Sequence, residues 1–469
     1  LKSLKKVTLA YTVTKIGKNS FANCSSMTQI TNLKSVNYID SGSFLNCTSL
    51  EKVSFENDMI HIGAEAFANC KMLEEISGNL KMDKIEEKTF ENCSSLKKIE
   101  LPSTITEIEA SSFRNCSNLV EIVIPPSVKQ IASQAFSGCS QLKKIDIKSS
   151  LIAIISSQLF MNCKSLTEIT LPSSITEIQD KSFAHCTSLK KVVFSSTLKK
   201  IGKEAFLECS SLKEINDLIS VEEIDDECFK SCTSLLSINF SESLKKLGKR
   251  VFLDCTSLTK VYLNKSQLSR IEEETFLRCN SLIEITLPSS LASIGFNSFF
   301  NCSSLQKIEI PSTVSEIGNS AFQNCLSLSE VNFNSCPIKK IMNSVFKSCK
   351  SLKKIEIPNS VTVIEESSFE DCSSIKEATL SHQINEIQSN SFKNCSSLTN
   401  ITIPDSLISL GKSCFEGCTS LKEVILSKAI KEIHPFAFQN CSSLISIIIP
   451  DLLISHGEHC FNCCSSLKE

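Results

Sequence analysis

The sequence predicts an α/β repeat solenoid of about twenty coils, each 23–24 residues long. Two observations carry that expectation. Twenty of the 25 cysteines stand three residues after a phenylalanine, from Phe21 and Cys24 to Phe461 and Cys464. Successive members of this column are 23 residues apart in sixteen of nineteen steps, and 24 apart in the three steps that end at Cys163, Cys279 and Cys349. A fixed period of roughly 20–50 residues marks stacked supersecondary units, not separate domains. The second observation is continuity: no Gly/Ser-rich tract or charge block interrupts the period. Residues 1–469 are therefore expected to form a single solenoid domain, where length alone suggests about three domains. Both ends fall inside a repeat and show no polar cap, so a fragment of a longer protein is expected, or else two unusually bare ends.

One unit shows why each element forms. In Phe90-Glu-Asn-Cys93-Ser-Ser-Leu96 the apolar residues recur at every third position, the pattern of one side of a tight 3₁₀ or α turn. Ile99 and Leu101 then alternate with Lys98 and Glu100, which reads as a short half-buried strand. Proline follows this strand in eight units, for example Pro102, Pro125 and Pro311, and it suits a strand end because it cannot donate to a ladder. Ile105 and Ile108 form a second inward pair on the return side. No coil can bury about six apolar side chains by itself, so stacking on its neighbours supplies the core.

Composition excludes several function classes. The 49 basic and 51 acidic residues nearly cancel, which disfavours a nucleic-acid partner and an anionic membrane surface. An apolar content of 41% supports a core, and no run is long enough for a membrane-spanning helix.

The pattern Ala/Ser-Phe-x-x-Cys followed by Leu-x-x-Ile-x-Leu/Ile-Pro resembles the BspA-like (Treponema pallidum type) leucine-rich repeats. It stands here as Ser112-Phe113-Arg-Asn-Cys116-Ser-Asn-Leu119-Val-Glu-Ile122-Val-Ile124-Pro125. The resemblance covers essentially the whole chain. It implies a right-handed, curved leucine-rich repeat with a parallel β-sheet on the concave face. It also implies a surface or secreted protein that mediates adhesion, with a protein ligand or glycan, such as host extracellular matrix, as partner. An intracellular protein–protein scaffold in the cytoplasm is the alternative. The bias toward Lys, Ile, Asn and Ser is that of an AT-rich genome and suits a protist.

The periodic cysteines read as small buried hydrophobes, not as ligands or a disulfide frame. Cys228, Cys414 and Cys460 fall in the small-residue slot before Phe, and Cys336, in a 24-residue unit, is expected at the surface. His456, His459, Cys460 and Cys463 make a weak metal candidate: the ligand types suit zinc, but the spacing matches no standard module. No metal or cofactor is expected.

Two columns are expected on the concave face. The first runs Lys52, Glu75, Lys98, Glu121, Lys144, Glu168, Lys191, Glu214, Ser237, Lys260, Glu284, Lys307, Glu330, Lys354, Glu377. With strands about 5 Å apart, such alternation reads as an ion-pair ladder that suppresses register slips. The second runs Glu100, Val123, Asp146, Thr170, Val193, Asn216, Asn239, Tyr262, Thr286, Glu309, Asn332, Glu356, Thr379, Thr402, Ile425, Ile448, with no Lys or Arg. Tyr262, Ile425, Ile448, Glu309 and Glu356 are the candidate binding residues. Binding there is expected to depend only weakly on salt.

No nucleophile, base and orienting group share a spacing argument, and there is no Gly-rich phosphate loop, so a non-enzymatic role is expected. Asn-Cys-Ser/Thr recurs at Asn23, Asn46, Asn92, Asn115, Asn301, Asn394 and Asn440. The asparagine reads there as a turn residue first and as a glycan acceptor second.

Overall fold

A computed structural model describes residues 2–215 and 218–468. Asn216 of the second column lies outside the described residues. The chain divides into two compact units, Leu1–Leu235 and Leu236–Glu469. Each is a stack of coils joined by parallel pairing in register. In most coils a three-residue strand comes first and a two-residue strand returns the chain. In unit 1, for example, Glu121–Val123 pairs with Lys144–Asp146, and Glu177–Ile178 pairs with Lys200–Ile201. The central residue of the long strand and the second residue of the short one point inward, as Ile122 and Ile178 do.

Between Phe and Cys the expected α part of the fold is absent: the described residues contain no helix. The segment does carry the bonds of a tight helix, with Cys93 N–H donating to the Phe90 carbonyl at 3.1 Å and Leu96 N–H to Cys93 at 3.1 Å. Two left-handed residues break it, one on each side of Phe90: Lys88 at φ 54° and Asn92 at φ 59°. The same pair recurs in the neighbouring coils, as Ser111 with Asn115 and Glu65 with Asn69. Alternating left- and right-handed residues aim successive N–H groups the same way. Lys88, Phe90 and Asn92 therefore donate to Ala110, Ser112 and Arg114 of the next coil, at 3.0, 2.8 and 2.7 Å. This third ladder replaces helical bonds with bonds between coils.

The left-handed slot explains the repeated asparagine, which tolerates that conformation better than other residues with a Cβ. In unit 1 the side chains add their own ladder. Nδ2 of Asn46, Asn69, Asn92 and Asn115 each donates to Oδ1 of the asparagine one coil earlier at 2.8 Å. We expect Asn69→Ala to cost about 2–3 kcal/mol, from the backbone conformation and two lost amide bonds. Asn69→Gly should cost about half, because it relieves only the backbone part. Thermal melts of the three proteins check this; equal losses for Ala and Gly would rule out a conformational contribution.

The core is built from columns. Phenylalanine rings stack coil on coil with centroids 5.1 Å apart for Phe183 and Phe206 in unit 1, and for Phe299 and Phe322 in unit 2. Nineteen of the twenty column cysteines are buried as free thiols, and Cys464 is half-buried. Column thiols donate to the phenylalanine carbonyl of the preceding coil, as Cys47 does to Phe21 at 3.1 Å and Cys302 to Phe276 at 3.2 Å. Apolar surroundings push thiols such as Cys70, Cys186 and Cys325 up; Cys186 reaches about 12. Cys336, expected at the surface, is buried at 1% exposure. In its 24-residue coil the extra residue enters just after the long strand. Cys336 N–H closes a turn onto Phe333 at 2.8 Å, as Ser150 closes onto Ile147 and Ser266 onto Leu263 in the other long coils. All three residues face inward.

Candidate functional site: the long-strand face

The long-strand sheet is not continuous within either unit, and clefts lie at two of its interruptions. In unit 1, Lys98–Glu100 forms no strand and keeps only one bridge, Glu75 to Lys98. Phe55 N–H reaches Ser77 at 2.9 Å and Ile124 N–H reaches Asp146 at 3.0 Å; the equivalent bond from Leu101 is not made. Gly78 precedes the gap at φ 127°, and a Cβ there would stand 2.4 Å from the Phe55 carbonyl oxygen, so only glycine fits. Clefts of about 480 and 420 Å³ lie on either side of Ile99. In unit 2, Lys307–Glu309 pairs with Glu330–Asn332, whereas the next strand, Lys354–Glu356, begins a new sheet after the 24-residue step. The larger cleft, about 790 Å³, opens there and is lined by Glu330, Asn332, Lys354, Glu356 and Thr379 among others.

The alternating Lys/Glu column is in register, with Glu121 opposite Lys144, Lys307 opposite Glu330 and Lys354 opposite Glu377. As an ion-pair ladder it is largely unmade. Among the described residues only Lys52–Glu75 and Lys260–Glu284 close across coils, at 3.8 and 3.9 Å. Wherever the second column also carries glutamate, that nearer carboxylate takes the lysine. Lys98 binds Glu100 at 2.8 Å, Lys307 meets Glu309 at 4.0 Å, and Lys354 binds Glu356 at 2.8 Å. A partner two residues along the same strand lies on the same face and requires no reach across the ladder. Hydrogen bonding to Glu100 and Glu356 holds Lys98 and Lys354 above the usual lysine range. The next-coil carboxylates Glu121, Glu330 and Glu377 are then left without an ion-pair partner among the described residues. Each of these places holds one lysine and two glutamates.

The five candidate residues fall on this face in two groups. Ile425 and Ile448 sit opposite each other on adjacent strands, 64% and 62% exposed, and Thr402 is opposite Ile425 on the other side. Glu356 lines the large cleft, and Glu309 pairs in register with Asn332 at its rim. Tyr262 stands apart, half-buried between Asn239 and Thr286. Val123, 68% exposed beside Asp146 in the unit 1 cleft, belongs with the apolar candidates. It stands in the same column in the sequence, and its signal was the absence of a charge at that position.

The histidine–cysteine cluster does not converge. Cys460 points into the core at 3% exposure and donates to the His434 carbonyl at 3.3 Å. The His459 ring stacks on Phe436, while Cys463 is exposed beside Asn462. Among the described residues no group of three His, Cys, Asp or Glu is placed to hold a metal ion, and no helix is long and apolar enough to cross a membrane.

The family model for the BspA type leucine-rich repeat region matches residues 1–120, 62–176, 153–283, 269–399 and 385–469. Among solved structures, a leucine-rich repeat protein of Bacteroides ovatus is 25% identical with a TM-score of 0.58, over 95% of this chain and 92% of that one. A leucine-rich cell surface protein of Faecalibacterium prausnitzii is 26% identical over 74% of this chain and 86% of that one, with a TM-score of 0.41. The T. pallidum leucine-rich repeat protein is 23% identical over 49% and 86%, with a TM-score of 0.32. A search of curated proteins found no match. Family-model matches from the first residue to the last, on a solenoid of 23-residue coils, place this chain in the BspA-type leucine-rich repeat family.

Proposed function

We propose that this protein is a non-enzymatic cell-surface adhesin whose long-strand face binds proteins of a host matrix or of another cell. One observation carries the reading: a solvent-facing column without Lys or Arg, in which Ile425 and Ile448 stand 64% and 62% exposed on paired strands. Isoleucines held side by side in water on a rigid sheet offer apolar area with little ordering cost on binding. Val123 and Tyr262 extend the same column. The unbroken 23-residue spacing from Cys209 through Cys232 to Cys255 supports treating residues 1–469 as one interaction domain.

Two measurements test the reading. Antibody against the chain should stain intact, unpermeabilised cells of its source; staining only after permeabilisation would instead select the intracellular scaffold. Purified chain should bind immobilised matrix proteins, and Ile425→Ser/Ile448→Ser should weaken that binding at least tenfold while leaving the thermal melt unchanged. Undiminished binding by the double variant would move the site off this face.

A further inference from the structure

We propose that the long-strand face of unit 2 takes an extended segment of a partner protein, one that carries a basic side chain four or five residues from an apolar one. This rests on the protein-binding reading above and names the partner's chemistry.

The strands Lys354–Glu356, Glu377–Thr379, Asn400–Thr402, Glu423–Ile425 and Ser446–Ile448 form one parallel sheet. Its outward column changes character in a fixed order: Glu356, then Thr379 and Thr402, then Ile425 and Ile448. The acidic end borders the cleft of about 790 Å³. Lys354 is held by Glu356 at 2.8 Å, so Glu330 and Glu377 on the flanking coils keep uncompensated charge among the described residues. A cationic side chain entering this cleft meets Glu330, which lines it, with Glu377 on the next strand opposite Lys354, and displaces no existing ion pair of either. At the opposite end the column itself is apolar, with Ile425 and Ile448 exposed on paired strands beside Glu423 and Ser446. The column between them has no aromatic ring to stack on a sugar and no cation to meet a phosphate, so a polypeptide fits it better than a glycan or a nucleic acid.

Spacing fixes the pattern. Three strand intervals separate Glu356 from Ile425, about 14 Å at about 4.8 Å each. A peptide lying across the strands covers that distance in four or five residues at about 3.3 Å per residue.

The probe is a phage-displayed library of random 15-residue peptides panned on the full chain, followed by synthesis of the enriched sequences. We expect Arg or Lys four or five residues from Leu, Ile or Phe. Ile425→Ser/Ile448→Ser should weaken a selected peptide at least tenfold. Glu330→Gln/Glu377→Gln should weaken it about fivefold and flatten its salt dependence, with an unchanged melt for both variants. Enriched peptides that lack this spacing, or that bind both double variants as they bind the parent, overturn the proposal. So does tight binding to an arrayed glycan that requires the same residues. If no peptide is enriched while the chain still binds matrix proteins, the extended-segment inference fails and the protein-binding reading survives. If neither binds, the reading itself fails.

Discussion

Raising the pH above about 9 in reducing buffer should unfold the stacked coils cooperatively, because the folded chain cannot ionise its buried thiols. Apolar surroundings push Cys139 and Cys186 to about 12, whereas a thiol in the unfolded chain ionises near 8.5, to within about half a unit. Across that window the folded state binds more protons than the unfolded state, so stability falls as pH rises. The stabilisation is fully present below about pH 8.5 and is lost as pH climbs toward the folded value. Each such thiol withdraws about 1.4 kcal/mol per pH unit. Sixteen buried column thiols are pushed up in this way, so within about one unit their combined loss exceeds a net stability of about 5–15 kcal/mol. Circular dichroism across a pH series should place the midpoint between about 9 and 10.5. A fold intact at about pH 11 would mean that the thiols are not held neutral by burial. Replacing Cys302, Cys325 and Cys349 with Ala should make the dependence shallower at a fixed urea concentration, a change that a simple loss of packing does not produce.

Phe322→Ala should cost about 3–5 kcal/mol. Its ring is fully buried and stacks on Phe299 at 5.1 Å and on Phe346 at 5.5 Å. Truncation therefore removes two ring contacts and leaves a cavity that neighbouring coils cannot fill, since each touches only the next. Phe21 stacks on Phe44 at 5.5 Å but is only half-buried, so Phe21→Ala should cost less than half as much. Urea unfolding of both variants measures the difference. Equal costs would show that burial of the ring, and not merely its place in the period, has been overvalued.

The fold was legible because its determinants repeat. Phe90, Cys93, Leu96, Ile99, Ile105 and Ile108 lie at fixed offsets in the sequence, and all six side chains are buried in the structure. The absent helix was not legible: Phe-x-x-Cys-x-x-Leu has the spacing of a tight turn. What stops the helix is the left-handed backbone at Lys88 and Asn92, which a lysine does not announce. The burial of Cys336 was hidden for a related reason. Its spacing places it outside the column, and only the turn onto Phe333 shows that the extra residue of a long coil is absorbed at an inward position.

The sequence alone determined the period, the inward columns, the exposed Ile425 and Ile448, and the absence of cations from the second outward column. All of these follow from which side of a pleated strand a residue occupies, and alternation settles that locally. Tertiary structure decided which charges actually meet. The sequence aligns Lys98 with Glu121 and Lys354 with Glu377, but an ammonium group takes the carboxylate it reaches with least extension, here Glu100 and Glu356 on the same strand. It also decided where the sheet opens, at Lys98–Glu100, after Lys144–Asp146, after Glu284–Thr286 and after Glu330–Asn332 among other places, because a ladder breaks where backbone geometry, not side-chain pattern, fails to carry it.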